Sequence, residues 1–152
     1  MKDVHLITVG KLKDPKLESI EKDYLKRLQS IKLKIVETKA RGDKVEEARE
    51  ILKKIKEISK DQGAYIILLT ENGKMHDSNN FSNWLFDILA KKQDKIFLVI
   101  GGASGFSDTI LEEADDQLSL SKLTFPHKIA RILLVEQIYR AQTIHGGHPY
   151  HK

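Results

Sequence analysis

The sequence predicts an α/β fold in which one mainly parallel sheet is flanked by helices. Three observations carry this. Apolar strand-like runs alternate with amphipathic helix-like runs along the whole chain, in the order β-α-β-α-β-α-β-α-β-α. Two strand runs, Tyr65–Leu69 (YIILL) and Ile96–Ile100 (IFLVI), are apolar throughout, as strands covered on both faces are. The second runs straight into Gly101, Gly102 and Gly105. The end of a parallel strand is where α/β proteins hold small ligands, and glycine lets backbone approach one closely.

Each element has its own local reason. Val4–Val9 is a first strand ended by Gly10, followed by the basic loop Lys11–Lys16 (KLKDPK). Asp14 and Pro15 suit the cap and first turn of a helix reaching about Leu28, with Leu17, Ile20, Tyr24, Leu25 and Leu28 on one face. Leu33–Thr38 is a second strand and Lys39–Asp43 (KARGD) a loop. Val45–Ser59 is a helix with the stripe Val45, Ala48, Ile51, Leu52, Ile55 and Ile58, stopped by Gly63. After the YIILL strand, Thr70–Asn80 reads as a polar loop with Asn72-Gly73 as a turn. Phe81–Ala90 is a helix carrying Trp84, Leu85, Ile88 and Leu89. Ser107-Asp108 open a short helix to Ala114, and Gln117–Leu120 is a fifth strand. From about Pro126 one long helix runs PHKIARILLVEQIYRAQTIH to the stop at Gly146-Gly147. Leu134, Val135 and Tyr139 widen its stripe of Ile129, Ile132, Leu133, Ile138, Ala141 and Ile144. A face so broad needs two partner surfaces, the sheet and a second copy of the chain.

Composition bounds the function. The 152 residues, 40% of them hydrophobic, make a single domain (1–152) with a real core. The absence of cysteine excludes disulfides, thiolate nucleophiles and cysteine zinc sites, and fits a reducing cytoplasm. No apolar run approaches the ~20 residues that cross a bilayer, and MKDVHLITVG is no signal peptide. The net charge of +4 is uneven: residues 1–60 carry 17 Lys+Arg against 11 Asp+Glu, and residues 61–152 carry 9 against 11. A basic first part suits a polyanion such as nucleic acid; the bland alternative is a solvated lysine-rich surface.

Several constellations bear on chemistry. GGASG matches part of the dinucleotide fingerprint G-x-G-x-x-G, but it follows the fourth strand and not the first. The chain has neither a P-loop nor G-x-S-x-G. His145, His148 and His151 have an H-x-x-H-x-x-H spacing, but Gly146-Gly147 and Pro149 interrupt it, so a metal site is not favoured. Lys128, Arg131 and Arg140 on the last helix suit phosphate contact, or snorkelling and pairing such as Glu136 with Arg140. Leu118–Phe125 (LSLSKLTF) alternates apolar and hydroxyl residues, which suits a pocket wall or a half-buried edge strand.

Three segments read together go further: FLVIGGASGF, LSLSKLTFPHKIARILLVEQIYRA and the terminal PYHK, supported by VGKLKD near the start. Along the whole chain they resemble the RlmH (YbeA-type) family of SPOUT methyltransferases, which methylate N3 of a pseudouridine in 23S rRNA. The resemblance implies a sheet whose C-terminal part is tied in a trefoil knot, a homodimer, and S-adenosylmethionine bound in the knot. It implies that Leu69, Gly101, Leu120, Ser121, Lys122, Leu123, Thr124 and Phe125 hold that cofactor. One departure is visible. The family often has an acid directly after the leucine matching Leu69; here Thr70 stands there, with Glu71 one further on.

In such a reaction the work is alignment plus removal of the N3 proton. His151 and His127 are the candidate bases, Arg131, Arg140 and Lys152 the stabilisers of an anionic base or of phosphates, and Tyr150 a stacking platform. The tail is expected to complete the site of the opposite subunit. The substrate is expected to be 23S rRNA within the ribosome, with neither metal nor membrane involved. Two rivals are a non-enzymatic RNA-binding α/β module and a nucleotide-dependent oxidoreductase.

Overall fold

In the computed structural model, which describes residues 2–152, the chain runs β1 (Lys2–Val9), α1 (Pro15–Arg27), β2 (Ile31–Thr38), α2 (Lys44–Ser59), β3 (Ala64–Met75), α3 (Ser78–Lys91), β4 (Lys95–Ile100), α4 (Asp108–Glu113), β5 (Asp116–Ser119) and α5 (His127–His145). The five strands form one sheet in the order β2-β1-β4-β3-β5, and every pairing is parallel. β4, apolar from Ile96 to Ile100, sits at the centre, and β3 beside it is also an interior strand, as the sequence predicts for these two apolar runs.

Strand alternation builds two cores. Val4 and Leu6 of β1, Ile67 of β3, and Ile96, Leu98 and Ile100 of β4 face α3 and α5, where they meet Leu85, Leu134 and Ile138; Tyr24 and Leu25 of α1 pack against this cluster. Ile7 and Val9, Ile66 and Leu68, and Phe97 and Val99 face the other way, onto Ala48, Ile51 and Ile55 of α2 and Ile110 of α4. The result is three layers, with helices on both faces of the sheet.

Three local expectations are corrected. On α1, Ile20 is exposed and Glu21 is buried in its place, because Glu21 turns inward to an ion pair with Arg131. On α2, Val45 stands outside the stripe it was expected to join. The expected loop Thr70–Asn80 is partly strand: β3 continues to Met75, with an irregularity between Leu69 and Lys74, and pairs with β5 on both sides of it. Gly73 permits this. A Cβ there would lie 2.6 Å from the Leu118 carbonyl carbon, so the chain crosses β5 closer than any side chain allows. Asp115 sets the register of β5 by exchanging its backbone N–H and its carboxylate with the C=O and N–H of Ile66, both at 2.8 Å. No helix of the described residues is long and apolar enough to cross a membrane.

Candidate functional site

A hollow of about 650 Å³ opens at the C-terminal edge of the sheet. Three segments make it: residues 69–72 at the bulge of β3, the turn 100–106 after β4, and residues 120–127 between β5 and α5. Gly105 at φ +78 closes the turn, its N–H donating to the Gly102 carbonyl at 3.1 Å. A Cβ on Gly101 would lie 3.0 Å from the Phe106 ring, and one on Gly102 3.0 Å from Val9 and 3.1 Å from Glu47. A side chain at position 101 would therefore fill the turn against Phe106, while Gly102 lets the turn pack closely on Val9 and Glu47. Hydroxyls fold the opposite wall: Ser119 Oγ donates to the Ser121 carbonyl (2.9 Å), Ser121 Oγ accepts from the Leu123 N–H (3.0 Å), and Thr124 Oγ1 donates to Glu71 Oε1 (2.5 Å). Glu71 thus bridges two walls, although it is one place later than the acid the resemblance implied. Apolar walls, a glycine cradle and a polar mouth of this volume fit a nucleoside carrying an amino-acid tail.

Seven of the eight expected cofactor residues, Leu69, Gly101, Leu120, Ser121, Leu123, Thr124 and Phe125, line this one cavity, and so does His127. Lys122 does not; it is exposed beside the cavity. Arg131 lies elsewhere too. Its guanidinium is buried and meets Glu21 through two bonds (2.7 and 2.8 Å), Glu37 at 2.7 Å and Thr8 Oγ1 at 3.3 Å. Burial works against its charge, but the bonds to Glu21 and Glu37 more than offset this and raise its pKa further. Arg131 is committed to holding α5 against α1 and β2, which corrects its expected contact with substrate.

The remaining candidates gather further along α5. Arg140 pairs with Glu136 (2.7 and 2.9 Å), donates to His151 Nδ1 (3.0 Å) and lies 4.8 Å over the Tyr150 ring. Because a guanidinium only donates, His151 must accept at Nδ1 and carry its proton at Nε2. Tyr150 donates to Glu136 (3.1 Å) and packs edge-on to Tyr139. Burial, with Tyr24 and Glu136 beside it, raises the Tyr150 pKa and keeps its hydroxyl protonated. His145 stacks on Phe86 and His148 accepts from the Tyr150 N–H, so the three tail histidines go separate ways. Arg140 is 13 residues from His127 along α5, roughly 20 Å at 1.5 Å per residue. Within one chain the cavity and the tail cluster are far apart.

Comparison with known proteins decides the family. A family model described as "Predicted SPOUT methyltransferase" matches residues 1–151. The chain belongs to the SPOUT methyltransferase family. Relatives described as "Ribosomal RNA large subunit methyltransferase H" include that of Clostridium novyi, 42% identical over 99% of both chains. Those of Clostridium acetobutylicum and Bacillus pumilus are 38% identical, again over 99% of both chains. Solved structures share the SPOUT fold: a probable methylase family protein from Haemophilus influenzae (TM-score 0.56, 13% identity, covering 95% of this chain and 66% of that one). Another is the SpoU methyltransferase AviRb from Streptomyces viridochromogenes in complex with the cofactor AdoMet (TM-score 0.51, 11% identity, 93% and 59%). The chain spans less than two thirds of either structure.

In this SPOUT chain, sequence reasoning missed Phe106, which backs the glycine cradle, and Glu37 as a partner of Arg131. It also missed Gln142, whose Oε1 accepts from the Gln29 and Ser30 N–H groups (2.7 and 2.9 Å) and clamps the turn before β2. A glutamate on the inward side of α1, at Glu21, was the one available signal for the ion pair.

Proposed function

We propose that this SPOUT methyltransferase transfers a methyl group from S-adenosylmethionine to N3 of a pseudouridine in a 23S rRNA loop within the ribosome, as a cytoplasmic homodimer. The observation that carries the reading is the meeting of Gly101 with Leu120, Ser121 and Leu123–Phe125 around one cavity of cofactor size. The relatives' description as large-subunit rRNA methyltransferases supports the substrate class. The close crossing of Gly73 over β5 supports a knotted C-terminal part.

The cofactor, when bound, supplies a methyl on an electrophilic sulfonium. The chain's residues then orient, desolvate and move a proton. Leu69, Ile100, Leu120 and Phe125 give the apolar walls, and the cradle 101–105 admits close backbone contact. His127 sits exposed on the rim of the cavity and is the base this geometry favours. The His151 lone pair at Nδ1 is taken by Arg140, so Arg140 and His151 Nε2–H act as donors towards an anionic ring, while Tyr150, its hydroxyl donating to Glu136, offers its ring for stacking. Lys152 extends the same set.

Two copies reconcile the roughly 20 Å between cavity and tail cluster. Ile129 and Leu133, one turn apart on α5, are 40% and 37% exposed, and Leu123 beside the cavity is 70% exposed. An apolar surface of this kind pairs with its own copy. The tail of one chain then reaches the cavity of the other. The reading is tested with labelled S-adenosylmethionine and ribosomes from cells lacking the enzyme. Label appearing at N3 of one pseudouridine supports it. Saturable RNA binding without label favours a binding module and overturns it.

A further inference from the structure

A second groove, about 390 Å³, lies on the same edge of the sheet beside the loop 10–14. Its rim carries Lys11 and Lys13 from that loop and Lys22 from α1, with Glu18 between them. Its floor is the Glu21–Arg131–Glu37 ion pair. A small hollow lined by Lys11, Ile100, His127 and Lys128 lies between this groove and the methyl-donor cavity and shares residues with each.

The lysines are held ready. Leu12 is buried, Gly10 N–H donates to the Thr38 carbonyl at 2.7 Å, and Asp14 caps α1. Between these anchors Lys13 adopts a left-handed backbone, φ 49, a conformation that costs free energy in a residue with a Cβ. Lys11 and Lys13 therefore project outward on either side of a fixed point. Neither they nor Lys22 pair with a carboxylate among the described residues. The acids of the floor are instead engaged by Arg131.

We propose that this groove binds the phosphodiester backbone of the RNA beside the target nucleotide. Lys11, Lys13 and Lys22 contact successive phosphates, and Lys128 hands the strand on to the cavity past His127. The assignment rests on the rRNA methyltransferase reading, because it takes the neighbouring cavity as the place where the target base arrives. Unpaired ammonium groups carried on an anchored loop and a helix, leading to that cavity, are the pattern that tracks a charged strand, and phosphate contacts of this kind set register without reading sequence.

The test uses the full chain, its Lys11→Gln/Lys13→Gln/Lys22→Gln variant, and the same three positions changed to Arg. Binding of labelled oligouridylate is followed against salt. Losing three single-strand phosphate contacts makes the slope of log K against log salt shallower by about 2, so the wild-type advantage shrinks about 16-fold between about 50 and 200 mM salt. The Arg variant retains the wild-type slope, the KM for ribosomes rises in the Gln variant, and calorimetric cofactor affinity is unchanged in both. Equal slopes for the wild-type and Gln proteins overturn the proposal, as does a loss of cofactor affinity in the Gln variant. If ribosomes take up no methyl from the wild type while the slopes differ as stated, the methyltransferase reading fails and the groove still binds RNA.

Discussion

Replacing Arg131 with Met separates two roles for that residue. As a phosphate or ring contact, its loss lowers activity and leaves stability alone. The structure predicts the reverse order of effects. The Arg131 side chain is 94% buried and that of Glu21 91%, while the Glu37 side chain keeps about a third of its surface in water. In Arg131→Met, Glu37 turns to solvent but Glu21 is stranded as a buried charge. Breaking such a pair from one side costs about 3–5 kcal/mol. At about 2–4 °C per kcal/mol for a chain of this size, the melting midpoint falls by about 6–20 °C. The double variant Glu21→Met/Arg131→Met removes the stranded charge and recovers most of the loss, since apolar replacement of both partners is often neutral. Urea unfolding of the wild type, both single variants and the double variant closes the cycle. A loss under about 1 kcal/mol in Arg131→Met, with methyl transfer abolished, would refute the reasoning and return Arg131 to the catalytic site.

Two further predictions follow from single contacts. Gly73→Ala drives a Cβ to 2.6 Å from the Leu118 backbone; β5 must shift, at about 1–3 kcal/mol. Because the 120–126 wall continues from β5, calorimetric affinity for the cofactor falls as well, and an unchanged urea midpoint contradicts the crossing geometry. His5 is buried with Nε2 unpartnered, stacked on Phe97 at 5.1 Å. Burial lowers its pKa from the ordinary 6.5, Lys34 and Lys95 add to this, and Asp3 opposes. The unfolded chain therefore takes up the proton first as pH falls. The contribution of neutral His5 is fully present above 6.5 and declines below it, by up to about 1.4 kcal/mol per pH unit. His5→Phe keeps the stack and flattens that decline in unfolding measured against pH; equal slopes in the two proteins would remove His5 from the pH response.

The sheet was legible because its strands announce themselves: YIILL and IFLVI have no polar face to misplace, and the glycine turn marks their open end. β3 was cut short because Thr70–Gly73 reads as a turn in isolation. Only the approach of Gln117–Leu118 shows that Gly73 is there for closeness and not for bending. Arg131 and Glu21 are 110 residues apart, and nothing local in the sequence tells an arginine facing substrate from one facing a glutamate inside the protein. The cavity residues were legible through the resemblance. The tail, too, is expected to serve the opposite subunit's site, and its separation of roughly 20 Å from the cavity along α5 fits that expectation.

The most direct test of the account is subunit complementation. One chain carries Gly101→Val, which fills the cradle against Phe106; the other lacks Tyr150–Lys152. Each is inactive alone, and each still folds and dimerises. Co-refolded in equal amounts, half the dimers are mixed, and each mixed dimer holds one intact cavity facing one intact tail, so methyl transfer to ribosomes returns to about a quarter of wild type. No recovery in the mixture, with mixed dimers shown to form, contradicts a site shared between two chains.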